Sequence, residues 1–184
     1  MIKGIPTKYK GVWYRTRLEA RWAVFFDLVG WHYAYEPCDL NGWIPDFLLS
    51  GINEEIFVEV KPLTNFHAMT VSPHISKINK AMYSSGIKQD ALLLGCILPR
   101  SEWNNSNHDL GYLGEYSEHF SYEGEWLSWG RAEFHDRGGL GFCHAYQSFH
   151  NRITGEYDGN GGCGSYAPID KWNKAGNIVQ WCKP

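Results

Sequence analysis

At 184 residues, with 43% hydrophobic and 20% charged side chains, the chain can bury one good core with elaborations, and its formal net charge of −3 argues against indiscriminate polyanion binding. The longest apolar runs, residues 22–26 and 91–94, are far too short to span a bilayer, and no basic start leads into an apolar signal segment. The five cysteines (Cys38, Cys96, Cys143, Cys163, Cys182) are odd in number and scattered, so the expectation is a soluble, cytoplasmic chain with reduced thiols and no membrane partner.

Charge is unevenly placed. Residues 1–21 carry Lys3, Lys8, Lys10, Arg15, Arg17 and Arg21 against Glu19 alone, whereas 101–158 carry ten acids against Arg131, Arg137 and Arg152. A basic arm suits phosphate contact. An acidic second half suits a protein partner, a metal, or a solvated surface.

The first helix opens on Thr16-Arg17-Leu18-Glu19, a capping box with Thr16 as N-cap and Glu19 at N3. Leu18, Trp22, Phe25, Phe26 and Val29 follow at helical spacing, and Gly30 stops the run. Glu19 falls on the shoulder of that stripe, within reach of a sheet edge. Residues 31–36 then read as a strand ended by Pro37, with a turn at Asp39-Leu40-Asn41-Gly42. A second strand spans 43–49, with Pro45 marking a strand opening or kink beside Asp46. A third spans 55–61. In it Ile56, Val58 and Val60 share one face while Phe57, Glu59 and Lys61 share the other. Ser72-Pro73 marks the start of a second helix that ends at Gly86, and 90–96 is an apolar strand buried on both faces.

Beyond Pro99 the composition turns to Gly, aromatic and acidic residues, which predicts a β-rich elaboration over 101–184 after a core over 1–100. Residues 126–135 and 140–146 read as a hairpin around Asp136-Arg137-Gly138-Gly139. Residues 169–175 make a helical turn or two closed by Gly176, and 178–181 a last strand.

Two opposite charges on one apolar strand, with Asp46 on its neighbour, call for a reason, because buried charge is costly unless paired or bound to metal. Glu19, Pro45-Asp46 and Glu59-Val60-Lys61, in the order helix, three strands, helix, strand, resemble the PD-(D/E)XK nuclease superfamily. More narrowly, Tyr14, Arg17 through Ala23, Tyr35-Glu36-Pro37, Pro45-Asp46-Phe47 and Val58 through Lys61 resemble small bacteriophage-encoded endonucleases. The resemblance covers about residues 10–100 and implies an α/β fold with a restriction-endonuclease-like core, a mixed sheet flanked by helices. It also implies metal-dependent hydrolysis of DNA phosphodiesters, leaving 5′-phosphate ends.

The chemistry agrees with that expectation. Phosphodiester hydrolysis needs a hard cation to neutralise phosphate charge and acidify a water, and hard cations take carboxylate oxygens. Asp46 and Glu59 would share Mg²⁺ or Mn²⁺ with the Val60 carbonyl. Lys61, ~7 Å along the strand from Glu59, would orient the water or offset charge in the transition state. Glu19 would bind a second cation, hold a metal-bound water or act as base, besides its capping duty. Glu36 would support the site from behind.

DNA contact would fall to Lys8, Lys10, Arg15, Arg17 and Arg21, with Lys77, Lys80 and Lys88 near the second helix. Trp13 and Tyr14 either stack on an unpaired base or belong to the core. No helix-turn-helix or regular zinc-finger spacing is present. Cys143, His150 and Cys163 are the candidates for a structural zinc, without the paired Cys-x2-Cys knuckle that makes such sites recognisable. His135, His144 and His150, the last followed by Asn151, form no clear constellation for a His-Asn metal nuclease. The alternatives to a DNA cutter are a catalytically inactive nuclease fold that binds nucleic acid or a protein, and a nicking or junction-resolving enzyme. A homodimer would let two sites meet two strands.

Overall fold

The computed structural model describes residues 4–100, 108–118, 126–136, 138–145, 149–157 and 167–180. The chain is mixed α/β and divides into two compact units, Met1–His32 with Pro168–Pro184, and Tyr33–Ala167. Among the described residues no helix is long and apolar enough to cross a membrane.

The first unit opens with a hairpin of β1 (Thr7–Tyr9) and β2 (Val12–Tyr14). Lys10 and Gly11 form its two-residue turn with φ of 45° and 86°, the paired positive values of a type I′ hairpin. Helix α1 (Arg17–Val29) begins at Thr16, whose hydroxyl accepts the Glu19 N–H, and ends at Gly30 with φ 80°. Its partner is α3 (Ile169–Ile178). Trp22 and Trp172 meet at 4.4 Å between ring centroids, with Phe25 edge-on to both. The last strand expected at 178–181 does not begin there: Ile178 closes α3 and Val179 is its C-cap. Gly176 does not close the helix but lies inside it, where the Arg21 guanidinium approaches; a Cβ would come within 3.0 Å of Arg21 Cζ.

The second unit holds a seven-stranded sheet in the order β3 (His32–Tyr35), β4 (Phe47–Ser50), β5 (Glu55–Val60), β6 (Asp90–Leu94), β7 (Asp109–Tyr116), β8 (Leu127–His135), β9 (Gly141–His144). β5 and β6 are parallel, joined by α2 (Ala68–Ser85), while β4–β5 and every pair from β6 to β9 are antiparallel. The order helix, three strands, helix, strand is therefore present. The sheet continues beyond residue 100, since β7 pairs directly with β6.

Helix α2 starts earlier than Ser72-Pro73 suggests. The Asn65 carboxamide oxygen accepts the His67 N–H and the Thr70 hydroxyl, holding the added turn, and Ser72 Oγ donates to the Ala68 carbonyl at 2.7 Å. Pro73 is the sixth residue of the helix, on an exposed position, and costs it one i→i−4 hydrogen bond. The buried face of α2 carries Ile78, Ala81 and Met82, packed on Phe57, Ala91, Trp43 and Leu40. It thus covers the strand face that Phe57 shares with Glu59 and Lys61.

Candidate functional site

Asn41 and Gly42 (φ 52° and 87°) make a second tight turn, in which Leu40 and Trp43 exchange backbone hydrogen bonds and Gly42 N–H reaches Asp39 Oδ1 at 2.7 Å. This turn delivers Trp43, 1% exposed, to the third strand, where its indole Nε1–H donates to Glu59 Oε2 at 2.8 Å. Pro45 follows, and the ladder of β4 starts only at Phe47, paired with Val58. Continuing that register sets Asp46 opposite Glu59. Asp46 then replaces a ladder bond with its side chain: Oδ2 accepts the Val60 N–H at 2.7 Å, while its carbonyl takes the Glu36 N–H at 3.0 Å. Glu36 therefore supports Asp46 through its backbone.

Lys61 continues β5, its N–H bonded to the Leu94 carbonyl at 2.9 Å. Its ammonium is ion-paired with Glu59 Oε1 and donates to the Val60 carbonyl at 3.2 Å. Asp46, Glu59, Val60 and Lys61 are thus one connected network around the backbone of Val60. Asp46 and Glu59 are 3% and 4% exposed, and the Lys61 side chain is half-buried. The Glu59 carboxylate pairs with the ammonium, and the Asp46 carboxylate holds the backbone next to it.

Sequence reasoning missed two members of this neighbourhood. Trp43 appeared only as the start of the second strand, although its position directly after a tight Asn-Gly turn aims it across the sheet. His74 lies on α2 four residues before Ile78, on the same helical stripe, and a histidine on an apolar stripe was the available signal. Burial first, then the Lys61 charge, hold its imidazole below the usual value, against the upward pull of Glu59.

Glu19 belongs to the first unit. Its Oε1 accepts the Thr16 hydroxyl at 2.9 Å and its Oε2 the Arg15 N–H at 3.1 Å, so it does the work of a capping box. Arg21 also has a structural duty: its guanidinium lies 3.7 Å from the Trp172 ring centroid and donates to the Trp172 carbonyl at 3.0 and 3.3 Å. Lys10 is ion-paired with Asp27 at 3.0 Å, Arg15 is exposed beside Glu19, and Arg17 is half-buried.

Of the zinc candidates, only Cys143 and His150 lie among the described residues. Cys143 is disulfide-bonded, which removes the thiolate a zinc ligand supplies and corrects the expectation of reduced thiols at this position. Cys38 and Cys96 are free, His150 packs against Tyr157, and Cys163 lies outside the described residues. Asn151 is a structural hub, its Oδ1 accepting the Ile153 and Thr154 N–H groups and its Nδ2 donating to the Gly139 carbonyl. Among the described residues no group of three or more His, Cys, Asp or Glu side chains is arranged to hold a metal.

A second charged cluster lies at the other end of β6. Arg152, 4% exposed, is paired with Asp90 at 2.8 Å, Glu54 at 3.1 Å and Glu115 at 3.2 Å, and donates to the His150 carbonyl. These residues line a cavity of about 290 Å³. Burial pushes the Glu54 carboxyl up to about 7; Arg152 opposes the shift, and Asp90 and Glu115 add to it. Near pH 4.5 and below, folded and unfolded chains both hold that proton, and between there and about 7 only the folded chain does. Its contribution to stability therefore falls as pH rises through that window. His144 acts in the opposite sense. Burial and then Arg152 hold its imidazole at about 4, so stability falls as pH drops from 6.5 toward 4. Glu54→Gln is expected to melt higher than wild type at pH 8 and to lose that advantage at acid pH. Thermal denaturation at both pH values checks this, and a pH-independent gap would show that the difference does not come from titration of Glu54.

Comparison with family models, curated proteins and solved structures returned no match.

Proposed function

We propose that the protein is a metal-dependent endonuclease that hydrolyses DNA phosphodiesters at Asp46, Glu59 and Lys61. The observation that carries this reading is the network in which Asp46 accepts the Val60 N–H while Lys61 donates to the Val60 carbonyl and pairs with Glu59, in the strand arrangement that the resemblance to PD-(D/E)XK nucleases leads one to expect.

The donors suit Mg²⁺ or Mn²⁺. All are hard oxygens, two carboxylates are what a Mg²⁺ that keeps several waters takes from a protein, and the cradle of Glu59 Oε1 and the Val60 carbonyl already receives a cation, the Lys61 ammonium. Asp46, Glu59 and the Val60 carbonyl would hold the ion, which supplies charge neutralisation on the phosphate and a more acidic water. Trp43 fixes the Glu59 carboxylate from behind, leaving Oε1 for the cation. The Val60 N–H fixes Asp46 in the same way. Lys61, released from Glu59, presents its ammonium to the phosphate oxygens, where charge develops in the transition state.

A second reading has an observation of its own. Glu59 is already shared by Trp43 and Lys61, and Asp46 Oδ2 by Val60, as in a purely structural network, which favours a nuclease-like protein that only binds nucleic acid or a protein partner. Incubation with linear, nicked, branched and single-stranded DNA, with and without Mg²⁺, separates the two. Cleavage that needs the metal and disappears in Asp46→Asn is the expected result. If no DNA is cut, or if Asp46→Asn cuts as well as wild type, the enzyme reading fails.

A further inference from the structure

We propose that the β1–β2 hairpin is a base-stacking platform on which Trp13 receives an unpaired nucleobase, so that the preferred substrate carries single-stranded or bulged nucleotides. The inference rests on the reading above that the ligand is DNA. It adds which DNA.

Trp13 and Tyr14 are adjacent in sequence, and the structure separates their roles. The register pairs Thr7 with Tyr14, Lys8 with Trp13 and Tyr9 with Val12, so Lys8 and Trp13 project together from one face and Tyr14 from the other. The inner face packs on α1 and buries Tyr14 to 2% exposure, whereas Trp13 is 64% exposed. An indole left in water contributes little to this fold.

The hairpin is tied to α1 through one carboxylate. Lys10 in the turn is ion-paired with Asp27 of α1, and the half-buried Tyr9 hydroxyl bonds the same carboxylate. Two groups on consecutive residues therefore clamp the hairpin to the helix, and stacking on Trp13 would order little that is not already ordered.

Charge selects the ligand. Lys8 Nζ lies 5.9 Å from the Trp13 ring centroid, the Arg15 side chain is exposed, and no Asp or Glu occurs in residues 1–18. A flat apolar ring beside cations matches a base joined to its phosphate, because every base has a π-face and the backbone supplies the anion. A fully paired duplex offers only phosphates there, since its bases are stacked on one another.

The test uses the full chain in EDTA, with fluorescently labelled DNA as a single strand, as a duplex with a bulge and as a fully paired duplex, read by anisotropy. A 2-aminopurine in the bulge reports stacking directly through its quenching. Trp13→Ala is expected to weaken binding to the single strand and the bulged duplex by about 5- to 150-fold, to abolish the quenching, and to leave the paired duplex unaffected. Trp13→Phe keeps a π-face and should retain most of the affinity. Equal losses on all three DNAs, or none, would overturn the proposal. If none of the DNAs binds, and an acidic peptide binds instead, the nuclease reading falls with it. If metal-dependent cleavage stands and Trp13→Ala is silent, this inference alone fails.

Discussion

Lys61→Met is expected to cut DNA about 10²- to 10³-fold more slowly than wild type and, at the same time, to bind Mn²⁺ more tightly. The first effect follows from losing the ammonium paired with Glu59, which could meet charge developing on the phosphate. The second follows from where that cation rests. Its ammonium holds Glu59 Oε1 and the Val60 carbonyl, two of the three groups assigned to the metal, so an incoming ion must displace it. Removing the competitor, and with it one positive charge a few ångströms away, should tighten Mn²⁺ binding by on the order of tenfold. Calorimetry with Mn²⁺ checks this, with Asp46→Asn as the control that must lose binding. Mn²⁺ should also raise the melting temperature of Lys61→Met more than that of wild type, because binding to the folded state alone stabilises it in proportion to affinity. Weaker binding in Lys61→Met would mean that the lysine supports the metal site rather than competing for it.

The largest loss of stability is expected from Arg152→Met, at about 3–5 kcal/mol near neutral pH. Three carboxylates, from the β4–β5 turn, the start of β6 and the end of β7, converge on this one guanidinium. Methionine fills similar volume and leaves the acids without a counter-charge in a partly enclosed cavity. Their mutual repulsion can be relieved by taking up protons, so the deficit should shrink as pH falls, beginning with Glu54, whose carboxyl already titrates at about 7. Arg152→Lys should lie between, since it keeps the charge and loses the planar fork that meets Asp90 and Glu115 together. Urea unfolding at pH 7.5 and pH 5 checks both statements. A similar deficit at the two pH values would assign the loss to packing.

The core order was legible in the sequence because local signals agreed with one another. The Thr16–Glu19 box starts α1, Gly30 ends it, and the alternation of Ile56, Val58 and Val60 against Phe57, Glu59 and Lys61 marks β5. Strand β7 was not legible. Its run Asp109-Leu110-Gly111-Tyr112-Leu113-Gly114 carries two glycines, which count against a strand until the neighbour is known. Gly114 lies under the Trp129 indole, and a Cβ there would come within 2.6 Å of it. The residues around Val60 were legible because they lie within sixteen positions of one another and the strand period places them. The Arg152 cluster was not, since its partners stand at 54, 90 and 115, and no local pattern connects them. Trp13 and Tyr14 were indistinguishable by type; only the register of a three-residue hairpin tells the exposed ring from the buried one.

The pairing of α1 with α3 has a consequence for the order in which the protein is made. Arg21 and Trp172, which stack and hydrogen-bond, stand 151 positions apart, whereas each strand from β4 to β9 pairs with the next along the chain. During synthesis the sheet can grow strand by strand as it emerges, but Trp22 and Phe25 have no Trp172 to close over them until residues 169–178 have been translated. The helix that carries the hairpin would then be synthesised before the sheet and secured after it.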